Sequence, residues 1–180
     1  AAHIDLNFSP AVSVPRDERW GRTYEGYGEN PDLVAAMGAA YVRGLQGENF
    51  DAEWRIISTA KHFLGDGATD KGYDRGNATI SDDELRAIHL PPYIAAIEQG
   101  VQSVMASFNQ INGVHQHVDS LRLTVLLKKE LGFNGLIITD GMEMDAIDSY
   151  YGSYDEAAVL AVKAGAEVLG IASIFTYGMK

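Results

Sequence analysis

Short apolar runs alternate with amphipathic segments through the second half of the chain, and this order constrains the fold more than any other feature. The runs at 101–108, 135–140 and 166–172 have the length and apolar character of buried strands. The segments between them, 120–132 and 154–165, have the apolar spacing of helices. Because the strands lack a regular polar alternation, the pattern predicts a parallel sheet with helices packed on its outer face.

The first half of the chain adds two strand candidates to this sheet. Residues 3–10 and 55–63 are rich in strand-forming side chains, which brings the predicted sheet to about five strands. No repeat, low-complexity tract or linker interrupts the 180 residues. We therefore expect a single α/β domain.

Two helical segments lie between these strands. Asn30 followed by Pro31 predicts a helix start, because asparagine caps backbone N–H groups and proline loses nothing at the first helical position. This helix is expected to end near Gly47. A second segment, 81–100, starts with capping-box spacing, and its adjacent prolines, Pro91–Pro92, predict a kink or a division.

Composition excludes several classes of function. A formal net charge of −11, with no local cluster of basic residues, argues against a nucleic-acid partner. The sequence has no cysteine, so disulfides and thiolate metal sites are excluded. No apolar run reaches the roughly 18 residues of a membrane span. The chain starts without methionine or a signal-peptide pattern, so we expect it to begin inside a longer protein.

Open doubly wound sheets and closed (β/α)8 barrels share this element order, and the polar residues distinguish them. Asp5, Lys61–His62, Ser107–Asn109 and Asp140 each fall near the predicted end of a different strand, where barrel enzymes assemble their sites. No dinucleotide or phosphate-loop motif favours a nucleotide fold. A barrel is therefore favoured, and since a complete one needs about 250 residues, the chain is expected to be part of one.

Asp140 is the first candidate catalytic residue. It ends the apolar strand "GLIITD" and precedes Gly141, so a carboxylate is placed at the edge of the sheet beside a residue that permits close approach. Capping of the following segment is the alternative explanation for Asp140. Glu143 and Asp145, which follow closely, are expected to be solvated loop charges.

Lys61 and His62 form a second candidate pair, at the end of the strand that precedes the turn "GDG". A surface lysine beside a structurally satisfied histidine is the alternative. Because adjacent strand residues point to opposite faces, both can reach one ligand only where the strand ends or bulges.

The loop 15–31 combines three arginines with aromatic side chains, a composition suited to recognition of a sugar or a carboxylate. Pairing within the loop, for example between Arg22 and Glu25, is the alternative. His115 and His117 have the spacing of one strand face, but two imidazoles without a third ligand make a weak metal site. We therefore predict no metal.

Four segments in order carry a resemblance to a known family. They are "NFSPAVSVPRDERWGRTYEGYGENP", "AKHFLGDGATDKGYDRGN", "HLPPYIAAIEQGVQSVMASFNQINGVHQHVDS" and "LGFNGLIITDGMEMDAI". Together they resemble the N-terminal barrel domain of family 3 glycoside hydrolases, most closely the exo-acting β-glucan glucohydrolases and β-glucosidases, over residues 5–148. The resemblance implies that residues 1–180 are part of a (β/α)8 TIM-type catalytic barrel, here a fragment of about five strands.

The resemblance also implies roles for individual residues. Asp140 matches the catalytic nucleophile of a retaining mechanism with a covalent glycosyl–aspartate intermediate. Lys61, His62 and Arg22 match residues that bind the glucosyl unit of the first subsite. Glu25 is implied to orient the arginine, and Phe108 occupies a substrate-site position where relatives carry tyrosine. No cofactor or metal is implied. The family tryptophan after the nucleophile is Gly141 here.

The implied function is that of an exo-acting β-glucosidase hydrolysing non-reducing terminal β-D-glucosyl residues. Its first barrel strands and its acid/base are expected outside this chain, so the isolated fragment is expected to be inactive, to need the rest of the enzyme as partner and to associate through its open edges. The resemblance favours a periplasmic or secreted location. Two alternatives are a Schiff-base aldolase or lyase using Lys61, and a non-catalytic carbohydrate-binding fragment.

Overall fold

The computed structural model describes residues 3–47, 54–142 and 152–171, and a five-stranded parallel sheet organises these ranges. In sheet order its strands are β1 (Leu6–Asn7), β2 (Ile57–Phe63), β4 (Ser103–Ala106), β7 (Leu136–Gly141) and β8 (Val168–Gly170). The sheet curls into a half-barrel with helices on its outside. Each strand overlaps a predicted segment, and the prediction of an incomplete TIM-type barrel is confirmed.

The helices follow the predicted segments. They are α1 (Pro31–Gln46), α2 (Asp82–Glu84), which continues as one π-helical segment (Leu85–His89), α3 (Pro91–Glu98), α4 (Leu121–Glu130, with π-type hydrogen bonding) and α5 (Tyr154–Ala164). Asn30 caps α1 by accepting from the backbone N–H groups of Asp32, at 2.9 Å, and Leu33, at 3.2 Å. Both the predicted cap and the predicted division of segment 81–100 before Pro91 are confirmed. Among the described residues, no helix has the length and apolar character to cross a membrane.

The core lies between the sheet and the helices. All four residues of β4 are buried, and Ala60, Val104 and Ile137 on three adjacent strands are fully enclosed. From α4, Leu123, Leu126 and Leu127 pack into the same cluster. Burial on both faces explains why these strands are apolar without alternation, and truncating such a leucine to alanine costs about 2 to 5 kcal/mol.

A second, three-stranded sheet lies beyond the end of β4 within the described part of the chain and was not predicted. It contains β3 (Asn77–Ala78), β5 (Gln110–Ile111) and β6 (Val114–His115). Asn112 and Gly113 both have positive φ, at 50° and 84°. Positive φ at both central residues is what a tight hairpin turn requires and what Asn-Gly provides. This hairpin leads the chain to His115–His117 beside the end of β4.

Two loops pack against each other above the first strands. The Arg16 N–H donates to the Gly67 carbonyl at 2.8 Å. A Cβ on Gly67 would lie 2.4 Å from the Val14 carbonyl oxygen, and one on Gly72 would lie 2.5 Å from the Trp20 nitrogen. Both positions therefore require glycine, and they fix the loop that carries Arg22 against the loop that follows β2.

Candidate active site

The ends of two strands and one loop bring the predicted site residues together. Lys61 and His62 lie among the last residues of β2, and Asp140 lies at the end of β7. The pairing of β2 with β4 shifts register between Ala60 and Phe63, which is the irregularity that lets neighbouring strand residues serve one site. The loop before α1 adds Arg22, whose guanidinium reaches His62 across the top of β2.

Arg22 and Glu25 form a bidentate ion pair. The Arg22 Nε and Nη2 atoms lie 2.7 and 2.9 Å from the two carboxylate oxygens of Glu25, and Lys61 Nζ lies 3.9 Å from the second of these oxygens. The ion pair expected within the loop, between Arg22 and Glu25, is therefore present, and it lies in the candidate site. Arg19 differs, because it pairs with Asp17 at 2.6 Å while its own side chain is 65% exposed.

His62 lies between a cation and two carboxylates. Its Nε2 is 3.0 Å from Arg22 Nη2 and 3.6 Å from Asp140 Oδ2. Since a guanidinium only donates hydrogen bonds, this Nε2 must accept, and the ring proton is then on Nδ1. Asp66 Oδ2 faces that Nδ1 at 3.0 Å. Neither His62 Nδ1 nor Asp66 Oδ2 has a hydrogen-bond partner among the described residues, so the contact between them is electrostatic.

Asp66 was missed as a site residue by sequence reasoning. It is 3% exposed and belongs to the turn "GDG" that follows β2. Its position just past the strand, between glycines that allow the tight turn, was the signal that could have identified it. A buried carboxylate beside a buried imidazole favours the ring orientation that presents Nε2 to the site.

Asp140 has two carboxylate oxygens in different environments. Oδ1 accepts from the Gly141 backbone N–H at 2.8 Å, while Oδ2 faces His62. The side chain is 23% exposed, so solvent or a ligand can reach it. The segment that Asp140 could alternatively cap lies outside the described residues from position 143 onward, and this part includes Glu143 and Asp145.

The charges around the site affect one another. The hydrogen bond from Arg22 lowers the pKa of Glu25, against the opposing effect of burial. Burial opposes the charge of Arg22, but the hydrogen bond to Glu25 and the negative charges of Asp66 and Asp140 raise its pKa. Arg22 therefore stays a cation, and Glu25 stays an anion, within a site that is only partly open to water.

His117 is the second residue that sequence reasoning missed. It was considered only with His115 as a metal pair, but the two imidazoles have different partners. His115 Nε2 lies 2.8 Å from the Gln110 side-chain amide, whereas His117 contacts the Ser107 carbonyl and the Asp140 backbone N–H. No group of three histidine or carboxylate residues in the described ranges is arranged to hold a metal ion.

Two other predicted positions remain to be described. Phe108 is 3% exposed and stacks on the His117 ring, with centroids 4.0 Å apart, and its contact with substrate stays a prediction. The placement of Asp5 at a strand end is wrong. Only Leu6 and Asn7 pair in β1, so exposed Asp5 precedes the strand, at the opposite end of the sheet from the site.

Comparison with known proteins gives consistent matches. The family model described as "Glycosyl hydrolase family 3 N terminal domain" matches residues 1–173. A β-xylosidase of Formosa agariphila is 40% identical over 169 residues, covering 89% of this chain and 23% of that protein. The periplasmic β-glucosidase of Salmonella typhimurium is 31% identical over 167 residues, covering 92% of this chain and 22% of that protein.

Solved structures agree with the sequence comparisons. The exo-1,3/1,4-β-glucanase ExoP from a Pseudoalteromonas species superposes with a TM-score of 0.84 at 46% identity, covering 92% of this chain and 21% of that one. The chain thus spans less than a quarter of the length of these relatives. The match to the family model over nearly the whole chain, with the half-barrel fold, shows that this chain belongs to glycoside hydrolase family 3.

Proposed function

We propose that the complete protein carrying this chain is a retaining, exo-acting β-glucosidase, and that residues 1–180 are part of its catalytic barrel domain. The observation that carries the proposal is the position of Asp140, at the end of a barrel strand. Its Oδ2 lies 3.6 Å from His62, and Arg22 lies 3.0 Å from that same imidazole nitrogen. A partly exposed carboxylate at the end of a barrel strand, with a guanidinium nearby, is suited to glycosyl transfer to a carboxylate.

Asp140 is the nucleophile in this proposal. Since Oδ1 is held by the Gly141 N–H, Oδ2 is the oxygen free to attack the anomeric carbon. A bond forms between Oδ2 and that carbon while the bond to the leaving oxygen breaks, and an acid outside the described residues protonates the leaving group. Water then attacks the glycosyl ester, gives up a proton to the same group and releases Asp140.

Arg22, Lys61 and His62 bind the sugar in the first subsite. The ammonium and guanidinium groups donate to hydroxyls, and contacts that shorten as the ring distorts stabilise the transition state more than the ground state. Glu25 keeps the guanidinium of Arg22 fixed through two short contacts, so the arginine does not need to be ordered by the substrate.

A non-reducing terminal β-D-glucosyl residue is the proposed substrate group. The support is the resemblance of the motifs around Arg22, Lys61 and Asp140 to β-glucan glucohydrolases, together with the 46% identity to ExoP, whose name describes a glucanase. A β-xyloside is the competing substrate, since one relative is named a β-xylosidase. Comparing kcat/KM for matched aryl β-glucoside and β-xyloside distinguishes the two.

We propose that the rest of the enzyme supplies the acid and the remaining barrel strands. The isolated chain should therefore be inactive and prone to associate. A periplasmic or secreted location is supported by the name of the Salmonella relative. A Schiff-base lyase using Lys61 is less well supported, because the relatives described above are named as a xylosidase, a glucosidase and a glucanase. Borohydride trapping with a carbonyl substrate would reveal a lyase.

The test is covalent labelling of the complete enzyme with a 2-deoxy-2-fluoro-β-glucoside, followed by mass spectrometry of the peptides. We expect one glucosyl adduct on Asp140, and none in Asp140→Asn. Asp83→Asn is the matched control, because Asp83 is an exposed carboxylate in α2, and this variant should label as the wild type does. An adduct on another residue, or undiminished labelling of Asp140→Asn, would refute the assignment.

A further inference from the structure

His117 is a fully buried histidine whose two ring nitrogens both have partners. Nδ1 contacts the backbone carbonyl of Ser107, just after β4, and Nε2 lies 3.1 Å from the backbone nitrogen of Asp140, at the end of β7. The ring therefore bridges the ends of two neighbouring strands. Neither partner is a side chain, so the contact acts on the backbone that carries the proposed nucleophile.

The two partners allow only one protonation state of the ring. A carbonyl must accept, so Nδ1 carries the proton, and a backbone N–H must donate, so Nε2 carries none. Burial lowers the pKa of His117 to about 4, which keeps the imidazole neutral over the range where carboxylate nucleophiles are ionised. Protonation would place two donors, Nε2–H and the Asp140 N–H, against each other.

Packing fixes the plane of the ring. Phe108 stacks on the His117 ring with an interplanar angle of 18°. Ser107, whose carbonyl accepts from the ring, in turn donates its backbone N–H to the carbonyl of Phe63 at 2.6 Å. A continuous hydrogen-bonded path thus connects the end of β2, which carries His62, to the backbone of Asp140.

We propose that His117 is a positioning residue, which holds the backbone of Asp140 so that its carboxylate lies at the correct distance from the anomeric carbon of the substrate. The inference rests on the proposed role of Asp140 as nucleophile. Both ring nitrogens of His117 are engaged by main-chain atoms, so the histidine acts through the main chain. A misplacement of about 1 Å in such a group can reduce a rate by roughly 10²-fold.

Two substitutions separate positioning from simple support of the fold. In His117→Gln the side-chain oxygen lies near the original Nε2 position and can accept from the Asp140 N–H, while the donor to Ser107 is lost. In His117→Asn the amide nitrogen lies near the original Nδ1 position and can donate to Ser107, while Asp140 loses its acceptor. Each variant loses one buried hydrogen bond, so both should be destabilised to a similar extent.

The experiment measures inactivation of the complete enzyme by the 2-deoxy-2-fluoro-β-glucoside, separating the apparent binding constant from the rate constant of adduct formation. We expect His117→Asn to form the Asp140 adduct about 10²-fold more slowly, with binding changed by less than about threefold, and His117→Gln to stay within about fivefold of wild type. Thermal midpoints and titration of active sites show that both variants are folded.

The possible failures are distinct. Equal rate constants in wild type and His117→Asn, or equal losses in both variants, would overturn the positioning role while leaving Asp140 as nucleophile. Absence of an Asp140 adduct in the wild type would instead refute the proposed function itself. If His117→Asn does not fold, the positioning role still requires that His117→Gln keep a rate constant close to that of the wild type.

Discussion

Replacing Glu25 with glutamine tests whether the orientation of Arg22 matters for activity. Glu25 holds the guanidinium through contacts of 2.7 and 2.9 Å, and the two side chains are 22% and 24% exposed. Hydrogen bonds to charged groups in such settings contribute about 1.5 to 3 kcal/mol. Glutamine keeps one accepting oxygen but turns an N–H group toward the guanidinium, so one of the two contacts is lost.

If the whole free energy of one charge-assisted contact stabilises the transition state, losing that contact lowers kcat/KM by about 10- to 150-fold. We expect the lower part of this range, about 10- to 50-fold, because both side chains are partly exposed and solvent weakens the contact. Asp17→Asn is the matched control. Asp17 makes the same bidentate contact with Arg19 in the same loop, but Arg19 is exposed, so that variant should stay within about threefold of wild type.

Kinetics of the complete enzyme with an aryl β-glucoside provide the measurement. A Glu25→Gln variant that matches Asp17→Asn in kcat/KM would refute the argument that Arg22 is held for substrate binding. Stability gives a second test. The pKa of folded Glu25 is lowered, so its contribution is present above the ordinary glutamate pKa and is lost as the pH falls through the folded value. The difference in thermal midpoint between wild type and Glu25→Gln should therefore shrink in acid.

Other substitutions and conditions give further expected outcomes. Lys61→Ala and His62→Ala should each lower kcat/KM for glucosides by about 10²-fold, because the first loses a charged donor to the sugar and the second loses the imidazole that contacts Arg22 and faces Asp140. Wild-type kinetics in both would make the pair structural. Folded His117 has its pKa lowered to about 4, so its contribution to stability is complete above the unfolded value of about 6.5 and declines below it. The loss in thermal midpoint on His117→Gln should accordingly be largest at neutral pH and smaller near pH 4. Purified 180-residue chain should not turn over an alkyl β-glucoside, and steady turnover would show that the acid lies within it.

Short sequence patterns correctly predicted the helices and strands that depend mainly on neighbouring residues. The Asn30–Pro31 pair specified the start of α1, and the uninterrupted apolar run 136–138 specified a buried strand, because capping and burial are decided by the residues themselves. The hairpin at Asn112–Gly113 was also predictable from the sequence, since an Asn-Gly pair strongly favours a tight hairpin turn. It was overlooked because its strands are only two residues long.

Residues whose roles depend on distant partners could not be assigned from the sequence. His117 is 23 positions from Asp140 in the chain, and the contact between them exists only because β4 and β7 are neighbours in the sheet. Asp66 is enclosed because two loops pack through Gly67 and Gly72. The error at Asp5 had another origin: the boundary of a two-residue strand cannot be located by composition.

The proposed function divides the chemistry between this chain and the remainder of the enzyme. Contacts within the chain connect Asp140 to His117 and Ser107, and connect His62 to Arg22 and Glu25, so the geometry of attack is set here. Protonation of the leaving oxygen is assigned to a group elsewhere. A dinitrophenyl β-glucoside, whose leaving group needs no acid, should therefore depend on the positioning residues of this chain as strongly as an alkyl β-glucoside does, since both must meet the same correctly placed carboxylate.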